Sequence, residues 1–154
     1  MRRAPSAAPV RGDSQGVRVV ADTNVIVSAF LWGGTPRRLL DAAEKGKLDL
    51  FTSRALIAEL EDVLQRQKFA EHLRRTRFSA PFLLSRYTQL ATLIVPAETD
   101  APDLRDRDDE AVLACALAAR AELIVSGDDD LRTLGNYRGI SIVSPAECIL
   151  RVPV

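Results

Sequence analysis

Asp22, Glu59, Asp109 and Asp128 are the side chains of this chain best placed to do chemistry. Asp22 follows the run Val17-Arg18-Val19-Val20-Ala21 and precedes the apolar-periodic Val25, Ile26, Ala29 and Phe30, an order that predicts strand, tight turn and helix. It therefore stands at the carboxyl end of a strand, the edge of an open α/β sheet where loops leave a crevice. Asp128 repeats the arrangement just past Leu123-Ile124-Val125-Ser126. An aspartate in either place also suits a helix cap, so neither position decides the matter alone. Glu59 falls roughly 40° from Val63 on a helical wheel, beside the apolar stripe of Leu56, Ile57, Leu60, Val63 and Leu64, where the wheel alone favours a rim residue with a packed stem and a wet head. Asp109 precedes Val112, Leu113, Ala116 and Leu117 at helical spacing and so points inward, a costly place for an unpaired carboxylate.

Four carboxylates brought to one sheet edge repel one another and are forced toward protonation unless a cation sits among them. Oxygen ligands without His or Cys suit hard ions, so Mg²⁺ or Mn²⁺ is the expected cofactor. Such an ion activates water and offsets charge at a phosphodiester.

Alternating patterns predict the elements that position these acids. Thr35 is expected to cap, and Pro36 to open, a helix running to about Lys45. Leu48 to Thr52 reads as a strand, Ser53 as the cap of the Glu59 helix, and Ser79-Ala80-Pro81 as another helix start. Gln67 to Arg77 is polar and basic, anchored by Phe69 and Leu73. Leu93 to Val95, Leu123 to Ser126 and Ile140 to Val143 are further strands, and Ser144-Pro145 starts a closing helix. The alternation β-α-α-β-α-α-β-α-β-α-β-α predicts an α/β domain over residues 17–151, with a mostly parallel, roughly five-stranded sheet covered on both faces. Residues 1–16 mix Arg, Pro, Ala, Ser and Gly without periodicity and are expected to form a flexible extension.

The totals exclude several classes. At 154 residues, 47% hydrophobic and 27% charged, the chain suits one soluble domain. Twenty-one basic and 21 acidic residues cancel, but the signs are segregated. Arg66 to Arg77 is basic, and Glu98 to Glu110 is acidic. Cys115 and Cys148 lie far apart in apolar patterns and read as buried thiols rather than a zinc site or a disulfide framework. Trp32, beside a helix end, is expected at the edge of the core and is assigned no chemistry. His72, the single histidine, is expected to be solvated, so no Ser/His/Asp or Cys/His arrangement can be assembled. No strand is followed by Gly-x-Gly-x-x-Gly or a Walker loop, which argues against a dinucleotide or P-loop enzyme. With no span of roughly 20 apolar residues and no apolar leader, the expected location is cytoplasmic.

These motifs also resemble a known family. Val-Val-Ala-Asp22-Thr-Asn, then Phe-Thr-Ser53 with Glu59-Leu60 and Val63-Leu64, then Asp106-Arg-Asp-Asp109 before Val-Leu-Ala-Cys-Ala, then Val-Ser-Gly-Asp128-Asp-Asp-Leu131, resemble a PIN domain. So does the closing Gly139-Ile140-Ser-Ile-Val-Ser-Pro145, and the resemblance runs in order from about Val17 to Arg151. The nearest branch is the VapC-like toxins of prokaryotic toxin–antitoxin systems. It implies a Rossmann-like three-layer α/β/α sandwich, metal-dependent endoribonuclease activity, a small antitoxin partner and, in many relatives, a homodimer. Asp22, Glu59, Asp109 and Asp128 match the family's acidic positions, with Asp106 and Asp130 secondary beside them. Alignment within the family leaves Asp108, Asp109 and Glu110 open for the third acid, and the wheel favours Asp109. Ser126 stands where relatives carry Ser or Thr, and is expected to orient a carboxylate or a water; Asn24 is expected to brace the turn. Arg107 departs from the proline of the Asp-Pro-Asp-Asp version.

Arg37, Arg38, Arg54, Lys68, Arg74, Arg75 and Arg77 are the candidates for gripping RNA, since phosphate contacts dominate affinity for nucleic acid. A solvated basic face accounts for them equally. Electrostatics does not choose RNA over DNA, and that preference comes from the resemblance. The competing reading is a catalytically inactive PIN-like module that binds RNA or a protein, its acids serving as caps and solvating charge.

Overall fold

A computed structural model describes residues 16–75, 78–97 and 107–152, apart from the side chains of Gln67, Arg107 and Asp108. The expected N-terminal extension, but for Gly16, lies outside them. The first strand, β1 (Val17–Ala21), leads into α1 (Thr23–Leu31) and α2 (Gly34–Glu44). Strand β2 (Leu48–Thr52) is followed by α3 (Arg54–Leu64), α4 (Gln67–Arg74) and α5 (Ala80–Leu90), and β3 (Thr92–Leu93) closes that half. Then come α6 (Arg107–Ala119), β4 (Leu123–Val125), α7 (Asp129–Leu134), β5 (Asn136–Tyr137), β6 (Ile140–Val143) and α8 (Pro145–Arg151).

The strands form one sheet in the order β3-β2-β1-β4-β6-β5. All neighbours are parallel except the β5–β6 pair. The sheet is thus α/β and mostly parallel, as expected, but six-stranded rather than five. The sixth strand is a hairpin arm: Tyr137 pairs with Ile140, and the two residues between them, Arg138 and Gly139, both take positive φ, the requirement of a tight hairpin turn.

Alternation along the strands makes the three layers. Val19, Ala21, Leu48, Leu50, Leu123 and Val125 pack into one core with α1, α2, α3, α5 and α8. Val20, Phe51, Ile124 and Ile142 face the other core, filled by Val112, Leu113, Ala116 and Leu131. Both faces of β1 are therefore buried, which explains its near-continuous apolar run. Each fully buried Leu or Val side chain stabilises the fold by about 1.5–3 kcal/mol.

Two local expectations are corrected, and one helix is added to those expected. Gln67 to Arg74 is helical, because Leu73 is buried and Phe69 packs against the same core, giving a strongly polar segment one apolar edge. Strand β3 lies at Thr92–Leu93 instead of Leu93–Val95, since only the end of β2 is available for pairing. Helix α2 begins at Gly34 after Gly33, not with Thr35 as cap; both glycines adopt positive φ and turn the chain into the helix early.

Among the described residues, no helix is long and apolar enough to cross a membrane.

Candidate functional site

Because the sheet strands run parallel, the helices that return from their carboxyl ends start at one edge. Asp22, Ser53, Asp128 and Ser144 are the N-caps of α1, α3, α7 and α8, each accepting a hydrogen bond from a backbone N–H of the first turn. These helix starts place partial positive charge along the edge, which favours carboxylates there. Strand order reverses between β1 and β4, leading to β2 on one side and β6 on the other. That switch point is where an open α/β sheet leaves its crevice, and Asp22 and Asp128 flank it.

Capping and site-building are compatible at both aspartates. Asp22 Oδ1 accepts from Val25 N at 3.1 Å, and Asp128 Oδ1 accepts from Leu131 N at 3.1 Å. Ser126 ties the two together: its hydroxyl donates to Asp22 Oδ2 and accepts from Asp128 N at 2.9 Å. Ser126 is fully buried, its own N–H held by Val143 O at 3.0 Å. Asp22 is only 7% exposed, and burial raises its pKa above the ordinary carboxylate value; the Ser126 and Val25 hydrogen bonds oppose the rise, and the charge of Asp128 adds to it. Such a carboxyl is poised to gain from a neighbouring cation.

Asp109 enters from the first turn of α6 and is 6% exposed. Its Oδ2 is buried and receives no hydrogen bond from the described residues, although the residue has other interactions. Asp109, Asp128 and Asp130 each offer a carboxylate oxygen within 4.8 Å of the others. Three hard oxygen donors at this separation, without His or Cys, could hold a divalent cation.

Of the four acids singled out in the sequence, Asp109 and Asp128 thus meet directly. Asp22 is linked to them through Ser126, and Glu59 is half-buried and accepts a hydrogen bond from Thr23 Oγ1, the residue next to Asp22. Asp130, a secondary candidate, completes the acidic triple. Its position two residues after the Asp128 cap carries it back over the same helix start. Asn24 is exposed and lines a cleft of about 460 Å³ with Ser28, Pro36, Gly127, Asp128 and Asp129. Asp106 and Arg77 lie outside the described residues.

The basic candidates are dispersed. Arg54 opens α3 at the acidic edge and, like Arg38, is exposed. Arg37 pairs with Asp41 at 3.6 Å, Arg74 with Glu71 at 3.7 Å, and Lys68 lies 4.9 Å over the Phe69 ring. Arg75 is exposed just past α4. Burial pushes the Cys115 thiol up to about 12 and that of Cys148 up to about 11, so both stay protonated at neutral pH.

Two aromatic expectations are corrected. Trp32 is 61% exposed instead of lying at the core edge, because the inner faces of α1 are already filled by Val25, Ile26, Val27, Ala29 and Leu31. His72 is half-buried, its ring 4.4 Å from that of Trp32, rather than simply solvated.

Comparison with curated proteins gives no match. A PIN domain family profile matches residues 18–130, which include all four strand-end and helix acids. PIN domains are generally nucleases that act on RNA or other nucleic acid and typically use divalent metals, in keeping with the acidic triple. With most of its length matched, this chain belongs to the PIN-domain family.

Proposed function

We propose that this PIN domain is a Mg²⁺- or Mn²⁺-dependent endoribonuclease that hydrolyses RNA phosphodiester bonds, acting as the toxin of a toxin–antitoxin pair. The observation that carries the nuclease reading is the approach of Asp109, Asp128 and Asp130 to within 4.8 Å at the sheet's switch point. The toxin role, a small antitoxin partner and a homodimer rest on the resemblance of the motifs to the VapC-like branch.

In this reading Asp109, Asp128 and Asp130 hold the cation, and Asp22 and Glu59 border it. When bound, the cation supplies Lewis-acid activation of water and neutralises charge on the reacting phosphate. The chain's own residues do the rest. Ser126 fixes the Asp22 carboxylate and the backbone at Asp128 with one buried hydroxyl, so the acids are preorganised. Burial of Asp22 and Asp109 keeps water from screening the charges. Arg38, Arg54 and Arg75 are exposed cations available to hold the RNA backbone, and Arg54 opens α3 at this edge.

The test is a calorimetric Mn²⁺ titration of the wild type and Asp109→Asn, with cleavage of a single-stranded RNA measured in Mn²⁺ and in EDTA. Loss of a ligand is expected to weaken Mn²⁺ binding by more than about a hundredfold, beyond the usual cost of losing a residue that only orients a ligand, and to abolish EDTA-sensitive cleavage. Equal Mn²⁺ affinity in the two proteins would reject the site, and cleavage that persists in EDTA would reject the metal dependence.

A further inference from the structure

Asn24, Ser28 and Trp32 follow one another at i, i+4 and i+8 along α1 and its C-cap, so they share one face of the helix. Asn24 and Ser28 line the cleft that contains Asp128 and Asp129. Trp32 N donates to Ser28 O at 2.9 Å, so the helical path continues to the indole. Eight residues at helical rise carry it about 12 Å from the acidic end. The cleft thus has carboxylates at one end and, one turn past its wall, a large exposed aromatic ring.

That ring is oriented by a neighbour set between basic residues. His72 contacts it with ring centroids 4.4 Å apart and planes inclined by 55°, leaving 61% of the residue exposed. Lys68, over the Phe69 ring, and Arg75 stand four residues before and three after His72, on the same side of α4. An indole oriented against a helix that carries basic residues, one turn past the wall of a cleft, complements what a single strand carries: a base with a free face and a phosphate next to it. A duplex offers no such free face, because its bases are already stacked.

We infer that Trp32 is a base-stacking platform that, with the cationic side of α4, holds a single-stranded nucleic acid so that its backbone runs along Asn24 and Ser28 to the acids. This rests on the nuclease reading of that edge and names the form of substrate it takes. Stacking on an indole is tolerant of base identity, so Trp32 selects strandedness rather than sequence.

Trp32 is the single tryptophan of the chain, so its intrinsic fluorescence reports on this position alone. The protein is titrated at low salt in EDTA, so that no cutting occurs, with a uridine hexanucleotide and with an abasic ribose-phosphate chain of the same length. The hexanucleotide is expected to quench the fluorescence and the abasic chain is not. By anisotropy of a labelled hexanucleotide, Trp32→Ala should bind roughly tenfold more weakly and Trp32→Phe should retain most of the affinity. Absent quenching, or equal binding by wild type and Trp32→Ala, would overturn the proposal and leave the indole as a contact for a protein partner. Circular dichroism checks that the variants are folded. Cleavage of the same RNA by wild type in Mn²⁺ separates the two readings: cutting without quenching removes Trp32 alone, and quenching without cutting upholds the platform while the catalytic reading fails.

Discussion

The acidic edge of the sheet and the flank made by α4 and α5 are built on opposite terms. At the edge, acidic side chains are buried or half-buried and fastened: Asp22 by Val25 N–H and Ser126, Asp128 by Leu131 N–H, Glu59 by Thr23. On the flank, Phe78 and Phe82 stack at 5.1 Å with both residues a little under half exposed. Its charged groups pair locally, as in Arg74–Glu71 at 3.7 Å within α4 and Arg66–Asp62 at 3.4 Å, which ties the start of α4 to the end of α3. Exposed pairs of that kind contribute between nothing and about 1 kcal/mol. The protein therefore places its most restrained geometry where carboxylates gather and leaves the α4–α5 flank with looser, more exposed contacts.

The sharpest way to break this comparison is to truncate one apolar side chain on each side. Leu131 is fully buried directly beneath the acidic triple, and Leu131→Ala is expected to cost about 3 kcal/mol in urea unfolding. Phe82→Ala, on the open flank, should cost less than about 1 kcal/mol. Equal losses would mean that the flank is core and the contrast false. A smaller effect tests the fastening itself. Ser126→Ala removes both hydrogen bonds that link the switch-point aspartates and should lower Mn²⁺ affinity or cleavage about ten- to a hundredfold, with Ser126→Thr restoring most of it. Unchanged activity in the alanine variant would show the acids to be positioned without it.

The smallest effect expected is on pH-dependent stability. Burial raises the pKa of Asp22, so the folded protein keeps this proton to higher pH than the unfolded chain does. Well below the ordinary carboxylate range both states are protonated and nothing is lost. As pH rises, the unfolded chain ionises first and stability falls until the folded carboxyl has ionised too. Asn caps a helix as well as Asp does and does not titrate. Metal-free Asp22→Asn should therefore melt above wild type at neutral pH, with the gap closing toward acid pH and narrowing when Mn²⁺ is added. A variant that melts lower at every pH would mean that the charge on Asp22 already stabilises the fold.

Much of the edge is legible in the sequence for a reason of geometry. A β-branched run fixes a strand, the following helix pattern fixes its end, and an aspartate between them can stand in only one place relative to a parallel sheet. Asp130 was harder to weigh, because three consecutive aspartates before a helix look like solvation, and only the fold of α7 brings the third one back toward Asp109. Elements defined by distant contacts were missed. Helix α4 has little apolar content of its own and is held by Phe69 and Leu73 against residues far away in the chain. The β5 hairpin was hidden because Arg138, not the usual Asn or Asp, occupies the first positive-φ position before Gly139. Trp32 was readable: the polar residues one and two turns before it, Ser28 and Asn24, already mark its side of α1 as the wet one.

The pairing of β1 with β4 has a bearing on how the protein is made. Val19 to Ala21 cannot find Leu123 to Val125 until the hundred or so residues between them have been made. Asp109, Asp128 and Asp130 all belong to that late portion. Domains fold as units, and non-local strand pairing must wait for its partner to be synthesised. A nascent chain that has already exposed Asp22 and Glu59 therefore lacks the acidic triple, and a prematurely terminated one never acquires it. The strand order thus sets a time: the acidic edge is completed only after the second half of the sheet has been made.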